Sequence, residues 1–247
     1  MLDSTALSRP RDLRDICATG PVSLFLDFDG TLVDLAPTPD GICVPDHLAA
    51  ALHALAGTMH GRLALVSGRA ISDIEKHLGA LSIARAGSHG SDCRAADGTA
   101  LGRAPEGLSD AALSEIVEFA EQSGFSREDK PHGAALHYRH DPALEDTGLA
   151  FADGFAARHG LAIKRGKCVI EFVIPGSDKG KAVAAFMAEA PFAGSTPIFV
   201  GDDITDEDGF QAARKAGGFG IIVGDKDSAA AQYRLADTNS VHQWLGL

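Results

Sequence analysis

Two carboxylates lie two residues apart where a short apolar run ends near the amino terminus. Asp27 and Asp29 follow the segment Ser23–Leu26 and precede Gly30 and Thr31. Because alternate residues of a strand point to the same side, both carboxylates are expected at one end of a buried strand. Like charges this close repel each other unless a divalent cation binds them or one carboxyl stays protonated as an acid. The alternative interpretation is that these residues form a polar turn with no catalytic role.

Three segments further along the chain carry groups that could act with this pair. Ser67 follows the apolar run Leu63–Val66, and Lys179 opens an apolar-periodic helix. The strand-like run Ile198–Val200 ends in an acidic cluster made of Asp202, Asp203, Asp206 and Glu207. In open α/β sheets, ligands bind at the carboxyl ends of the strands, where all these groups can meet. A nucleophilic carboxylate, an acid, a hydroxyl, an ammonium and metal ligands together are what phosphoryl transfer requires.

Composition limits the classes of protein that remain. The chain has 247 residues, 45% of them hydrophobic, which is enough for one sizeable core or two small ones. A formal net charge of −12 argues against a nucleic-acid-binding surface. No apolar run approaches the roughly 20 residues that span a bilayer, and the first 20 residues or so are too polar for a signal peptide. The four cysteines show no metal-binding spacing, so we interpret them as free thiols of a cytoplasmic protein.

The spacing of the segments predicts two domains. Strands alternate with helices on both sides of a long middle stretch, which favours a parallel, doubly wound α/β sheet. The stretch between Ser67 and Lys179 is far longer than one helix and one strand require. We therefore predict an α/β core over residues 1–90 and 177–247, with an inserted α+β cap domain over residues 91–176.

Alternation within the predicted cap separates an apolar face from a polar one. Helices are expected over residues 111–122 and 142–159, and strands over residues 133–139 and 161–174. The apolar rows would pack on the helices, leaving a polar face with basic residues in or beside the strands: Lys130, Arg139, Lys164, Arg165 and Lys167. Such a face is either a solvated surface or a lid over the site. We favour the lid, because cap insertions in α/β enzymes usually complete the site.

The order Asp-x-Asp-Gly-Thr, Ser-Gly-Arg, Lys-Gly, Gly-Asp-Asp resembles the haloacid dehalogenase superfamily of phosphotransferases from residue 23 onward. The resemblance implies that Asp27 is a nucleophile that forms an aspartyl-phosphate and that Asp29 is the general acid and base. It implies that Ser67 and Lys179 bind the phosphoryl group. It also implies a Mg²⁺ ion held by a set of oxygen ligands: Asp27, the Asp29 carbonyl and Asp202, with Asp203 or Asp206 contributing directly or through water.

Cap segments around Lys130, Ala135–Arg139 and Arg165–Glu171 are similar to those of trehalose-6-phosphate phosphatases, as is the run from Gly201 to Glu207. One departure is Asp92, where that family often has Glu. The resemblance implies a sugar phosphate as substrate and a functional link to a trehalose-phosphate synthase, with no nucleic-acid or membrane partner. By motif, the sugar hydroxyls would be bound by Lys130, Arg139, Lys167 and Glu171.

Three hypotheses about function follow. The first is a Mg²⁺-dependent trehalose-6-phosphate phosphatase, and the second is a phosphatase of another sugar phosphate, such as sucrose phosphate. The third is a non-catalytic, phosphate-sensing domain that regulates a synthase. The presence of Asp27, Asp29, Lys179 and Asp202 argues against the third, since a domain without activity would be expected to have lost some of them. Arg69 is left out of the predicted site because it would serve equally well at the surface.

Overall fold

A computed structural model describes residues 7–102, 107–130, 132–166, 168–176 and 178–247. The chain divides into two compact units, one formed by Met1–Arg103 with Asp178–Leu247 and the other by Ala104–Ser177. In the described part of the chain, no helix is both long and apolar enough to cross a membrane. All four cysteines are free thiols, as predicted.

The helices and strands of the described residues are numbered in chain order. The α-helices are α1 Leu13–Cys17, α2 Leu48–Thr58, α3 Ile71–Leu78, α4 Asp110–Ser123, α5 Glu145–His159, α6 Lys179–Met187, α7 Glu207–Lys215 and α8 Thr238–Leu245. The strands are β1 Val22–Leu26, β2 Leu63–Val66, β3 Ala84–Gly87, β4 Asp92–Arg94, β5 Ala100–Leu101, β6 Ser126–Lys130, β7 Gly133–His137, β8 Ala162–Gly166, β9 Val169–Val173, β10 Thr196–Gly201, β11 Phe219–Val223 and β12 Tyr233–Leu235.

The first unit is built on a sheet with the strand order β12-β11-β10-β1-β2-β3-β4-β5. Pairing is parallel from β12 to β3, whereas β4 and β5 add to the edge in antiparallel fashion. The cap was predicted to begin at residue 91, but the second unit begins at Ala104. Residues 92–101 stay with the core because β4 hydrogen-bonds to β3, which extends the core sheet by two short strands.

Helices cover both faces of this sheet, as the doubly wound prediction requires. Leu24 and Leu26 of β1 belong to an apolar cluster with α1, α2, α3 and α8. Phe25, between them, points to the other face and joins a second cluster with α6 and α7. Every residue of β1 is buried, as expected of a parallel strand covered on both sides.

The second unit is an antiparallel sheet in the order β6-β7-β9-β8, with α4 and α5 packed on one face. Leu136, Ile170 and Phe172 point toward these helices, which confirms the assignment of the apolar face. The Ser109 hydroxyl accepts a hydrogen bond from the Ala112 amide and so caps α4 as the sequence indicates. Strand β6 was not predicted.

Candidate active site

Three carboxylates from two neighbouring strand ends lie together in the first unit. Asp27 directly follows β1, is 4% exposed and donates its amide to the Val200 carbonyl of β10 at 2.9 Å. Asp202 follows β10, and Asp206 lies four residues beyond it. Oxygens of these three buried carboxylates all lie within 4.8 Å of one another. The parallel pairing of β1 with β10 therefore brings together groups that are distant in the sequence.

Two glycines permit this close approach. Gly30 has φ +77°, and a Cβ atom there would lie 2.4 Å from Cγ of Asp202. At Gly201, a Cβ atom would lie 2.3 Å from Cγ of Asp206. Side chains at either position would overlap the carboxylates, so both glycines are needed for the cluster to form.

Lys179, the first residue of α6, is the cation at the centre of the cluster. Its ammonium donates to Asp27 Oδ1 at 2.7 Å and to Asp206 Oδ1 at 2.5 Å, and the residue is 2% exposed. Burial alone would lower the pKa of Lys179, but the attraction of Asp206 and Asp27 outweighs burial and raises it. Lys179 is therefore held as a charged ammonium. Burial raises the pKa of Asp27 well above its usual value, with Asp206 and Asp202 adding to the rise and Lys179 opposing it.

Asp202 and Asp203 share a second cation. Lys226 lies in the loop after β11, and its ammonium is 3.0 Å from Asp202 Oδ2 and 3.2 Å from Asp203 Oδ1. Burial raises the pKa of Asp202 to about 6, although Lys226 opposes the rise. Asp203 is not part of the three-carboxylate cluster. Burial would raise the pKa of Asp203, but the Ile204 amide and Lys226 outweigh it, and the pKa is lowered.

Asp206 also organises its own loop. Its Oδ2 accepts the backbone amides of Asp202 at 3.0 Å and Asp203 at 2.9 Å, and the residue is fully buried. The Asp203 side chain in turn caps the short 3₁₀ helix Ile204–Asp206. These bonds fix the loop that carries the acidic cluster.

Asp29 is held by a residue that the sequence analysis left out. Arg69 donates from Nε to Asp29 Oδ2 at 2.7 Å and from Nη2 to Asp29 Oδ1 at 2.8 Å. Ser67 lies beside this pair at the end of β2, is 1% exposed, and its hydroxyl accepts the Arg69 amide at 3.1 Å. The His89 amide donates to the Ser67 carbonyl at 3.0 Å, so a turn after β3 braces the same loop.

Among the described residues, the site contains Arg69, which the sequence analysis left out, and Lys226, which it did not name. For Arg69, an available signal was its position two residues after the predicted site residue Ser67, with Asp73 four residues further along. For Lys226, the signal was its place in the loop that follows β11, since ligands gather at the carboxyl ends of parallel strands.

The residues predicted to bind sugar belong to the second unit. Lys130 and Glu171 form an ion pair in which each side chain is 13% exposed. Arg139 is exposed and lies in the turn after β7, because the strand ends at His137 rather than at residue 139. Lys167 lies outside the described residues. A second pair, His137 Nε2 with Glu128 Oε2 at 2.8 Å, was not predicted.

The donor set of the first unit fits a hard divalent cation. Asp27, Asp202 and Asp206 supply carboxylate oxygens, the ligands that Mg²⁺ prefers. Lys179 contacts Asp27 and Asp206, and the half-exposed Lys226 contacts Asp202 and Asp203. In the described structure, four carboxylates thus face two ammonium groups, so negative charge remains in excess. A divalent ion would balance that excess.

Together, the doubly wound sheet, the inserted unit and the buried carboxylates at the carboxyl ends of β1 and β10 form the arrangement that the motif order of the sequence predicts for an α/β phosphatase. Residues 25–239 match the family described as trehalose-phosphatase. The chain belongs to this family and is, with it, a phosphoric monoester hydrolase.

Individual relatives agree with this assignment. The chain is 38% identical over 224 residues to the trehalose-6-phosphate phosphatase of Escherichia coli strain K12, covering 90% of this chain and 84% of that protein. It is 39% identical over 205 residues to a probable trehalose-phosphate phosphatase of Sinorhizobium fredii, covering 82% and 77%. The C-terminal domain of the trehalose-6-phosphate phosphatase of C. albicans has the same fold, with a TM-score of 0.80 at 21% identity over 98% of both chains.

Proposed function

We propose that the protein is a Mg²⁺-dependent phosphatase that hydrolyses trehalose 6-phosphate to trehalose and phosphate through an aspartyl-phosphate on Asp27. The observation that supports this most directly is the buried contact of Asp27 with Lys179, beside the forked pair of Asp29 with Arg69. It supplies a nucleophile, a charge partner and a second carboxyl in one place. The family and its curated relatives supply the substrate class.

The chain's own residues account for the phosphorylation step. The Asp27 carboxylate attacks the phosphorus, and the bond from phosphorus to the sugar oxygen breaks. Asp29 donates a proton to that oxygen, so that trehalose leaves as the neutral alcohol. Lys179 and the Ser67 hydroxyl donate hydrogen bonds to the phosphoryl oxygens, where negative charge builds up.

In hydrolysis of the intermediate, Asp29 changes from proton donor to proton acceptor. Asp29, now a carboxylate, takes a proton from water as the water oxygen attacks the phosphorus of the aspartyl-phosphate. The bond from phosphorus to Asp27 breaks and phosphate leaves. The residues that would hold Mg²⁺ are Asp27, Asp202 and Asp206, with the Asp29 carbonyl; when bound, the ion neutralises phosphate charge.

Sugar recognition is proposed for the second unit. Lys130 and Glu171 are held together on the face of the sheet away from α4 and α5. Charged side chains there suit the hydroxyls of a disaccharide, because hydrogen bonds to charged groups are stronger than those between neutral ones. Arg139 and Lys167 complete the proposed set. The substrate would be supplied by a trehalose-phosphate synthase, the functional partner that the resemblance implies.

The test is phosphate release from a panel of esters, with Mg²⁺ present and after chelation. The panel contains trehalose 6-phosphate, sucrose 6-phosphate, glucose 6-phosphate and 4-nitrophenyl phosphate. We expect the highest kcat/KM for trehalose 6-phosphate and loss of activity on chelation. A higher kcat/KM for sucrose 6-phosphate would make that ester, rather than trehalose 6-phosphate, the proposed substrate. Absence of turnover on every ester would favour a phosphate-sensing domain.

The covalent step has its own test. Rapid acid quenching during turnover of a radiolabelled substrate should leave label on the protein, and peptide mapping should locate it at Asp27. Label on another residue, or turnover in which no phosphoenzyme can be trapped even under single-turnover conditions, would contradict the aspartyl-phosphate pathway.

A further inference from the structure

We propose that Asp73, acting through Arg69, is a positioning residue for the proposed acid and base Asp29. The inference deepens the proposed function and rests on it. Asp73 lies in the first turn of α3 and is not a member of the three-carboxylate cluster. Its effect on the reaction would therefore be indirect, through the orientation of one guanidinium.

The contact of Arg69 with Asp29 constrains orientation as well as distance. Two different nitrogens of the guanidinium reach the two oxygens of one carboxylate, at 2.7 and 2.8 Å. A forked contact of this kind fixes the plane of the carboxylate, which a single hydrogen bond would leave free to rotate. Asp29 is 27% exposed in its side chain, so without the fork its carboxylate would have room to change rotamer.

Arg69 is itself held from behind by Asp73. Its third nitrogen, Nη1, donates to Asp73 Oδ2 at 2.5 Å, four residues further along the chain. The Arg69 side chain is only 10% exposed, and its Cζ lies 5.9 Å from the centre of the Phe28 ring. The guanidinium is thus braced on one edge by Asp73 and on one face by Phe28, while its other edge meets Asp29. Beyond Asp73, His77 Nε2 lies 3.9 Å from Asp73 Oδ1, and polar side-chain atoms of Asp40, Asp73 and His77 lie within 4.8 Å of one another.

A neighbouring ion pair provides the comparison. Glu75, also on α3, contacts Arg85 Nη2 at 2.8 Å, and its side chain is 33% exposed against 31% for Asp73. The two acids lie on the same helix, are exposed to a similar degree, and each pairs with a different arginine. They differ in that Arg85 donates onward to the Leu81 and Ile83 carbonyls, whereas Arg69 reaches Asp29. Glu75→Ala is therefore a matched control for Asp73→Ala.

The experiment measures kcat/KM over a series of aryl phosphates of increasing leaving-group pKa, together with trehalose 6-phosphate. A good leaving group departs without a proton donor, whereas a poor one needs a well-placed acid. We expect Asp73→Ala to lower kcat/KM about tenfold for the esters with the poorest leaving groups and for the sugar phosphate. For 4-nitrophenyl phosphate the loss should be less than about twofold. The dependence of kcat/KM on leaving-group pKa should therefore become steeper. Glu75→Ala should keep the wild-type dependence. Arg69→Lys, which keeps the charge without the fork, should steepen it too.

A double-mutant cycle separates this role from a structural one. If Asp73 acts through Arg69, adding Asp73→Ala to Arg69→Ala should change kcat/KM by less than about twofold. Additive losses, or an equal loss across all leaving groups, would overturn the inference. Should Asp73→Ala fail to fold, Arg69→Lys alone decides, since an unchanged leaving-group dependence there removes the basis of the proposal. If the wild type releases no phosphate from any ester, the proposed function fails, and the inference fails with it.

Discussion

At the scale of single residues, the site concentrates more negative charge than the described residues around it balance. Asp27, Asp202 and Asp206 are buried together, and Lys179 contacts two of them. Burial disfavours the charged form of each carboxylate, which is why the pKa values of Asp27 and Asp202 rise. Groups in such an arrangement lower stability while they serve binding and chemistry. Removing the Asp27 carboxylate should therefore reduce function without reducing stability.

Asp27→Asn tests this separation most directly. Asparagine has nearly the same volume but is a poor nucleophile, so phosphate release should fall by at least about 10³-fold. In metal-free buffer the thermal midpoint should not fall, because one of three mutually repelling carboxylates is lost and Lys179 keeps Asp206. Turnover is measured by phosphate release and stability by circular dichroism. More than a trace of turnover, or a clear drop in the midpoint, would contradict this account.

Asp202→Asn and Lys226→Ala should change Mg²⁺ affinity in opposite directions. Loss of a carboxylate ligand should weaken binding by at least about tenfold. Loss of Lys226, whose side chain is 52% exposed and contacts Asp202, should strengthen binding by about two- to fivefold. Isothermal titration calorimetry measures both without any substrate. Unchanged affinity in Asp202→Asn would remove Asp202 from the proposed ligands.

At the scale of elements, the crossing of α6 and α7 sets the position of Lys179. Gly180 follows Lys179 in α6, and a Cβ atom there would lie 2.5 Å from the Asp208 carbonyl oxygen of α7. The obstacle is backbone, which cannot rotate away as a side chain can. Since the same two helices carry or adjoin Lys179 and Asp206, their separation controls a bond within the site.

Gly180→Ala should therefore reduce both stability and activity. Forcing the helices apart should cost about 1–3 kcal/mol in the free energy of unfolding and should lower kcat. Gly57→Ala is the control, since Gly57 is also helical and a Cβ atom there would meet no other atom within 4 Å. It should be neutral or stabilise by up to about 0.5–1 kcal/mol. Urea denaturation measures the free energy of unfolding of both variants. An equally small effect of the two substitutions would show that the crossing of α6 and α7 tolerates the added methyl group.

The elements that the sequence predicted are those whose signal is local. Apolar runs buried on both faces mark β1, β2 and β10, and the glycine after α4 marks its end. Strand β6 was missed because four of its five residues, Arg127–Lys130, are charged, and such a strand forms through its pairing with β7 rather than through its own propensity. The position of residues 92–101 was missed for the same reason, since β4 and β5 are short and depend on β3.

The site residues also divide into those that the sequence predicted and those that it did not. Motif order was enough to predict that Asp27, Lys179, Asp202 and Asp206 would lie together, because parallel strands end at one edge of the sheet. The role of Arg69 depends on a side-chain contact with Asp29 across 40 residues of sequence, and no local pattern specifies such a contact. Similarly, Lys226 reaches Asp202 from a loop 24 residues away.

At the scale of the whole molecule, the proposed function places chemistry and sugar recognition in separate units. The first unit carries the carboxylate cluster, and the second carries the Lys130–Glu171 pair on its own apolar core. Each unit has its own cluster of buried apolar residues, so we expect each to keep its fold when a surface charge of the other is changed. Substitutions in the second unit should therefore change the preference among esters more than they change the ability to hydrolyse an ester.

Arg139→Ala and Glu171→Ala test this division. Each removes charged groups proposed to bind sugar hydroxyls, and one such hydrogen bond contributes roughly 1.5–3 kcal/mol, or about 10- to 150-fold in kcat/KM. The loss should appear with trehalose 6-phosphate and should be much smaller with 4-nitrophenyl phosphate, which has no sugar to recognise. Steady-state kinetics on the two esters, with the leaving-group series as reference, give the comparison.

Arg127→Ala is the matched control for these two variants. Arg127 pairs in register with Leu136, whose side chain faces α4 and α5, so it lies on the opposite face of the sheet from Glu171. It should keep wild-type kinetics on both esters. Equal losses on both esters in Arg139→Ala or Glu171→Ala would indicate a damaged unit rather than lost recognition. Wild-type kinetics in both variants would mean that this polar face is a solvated surface, and only a loss confined to the disaccharide supports a sugar-binding role.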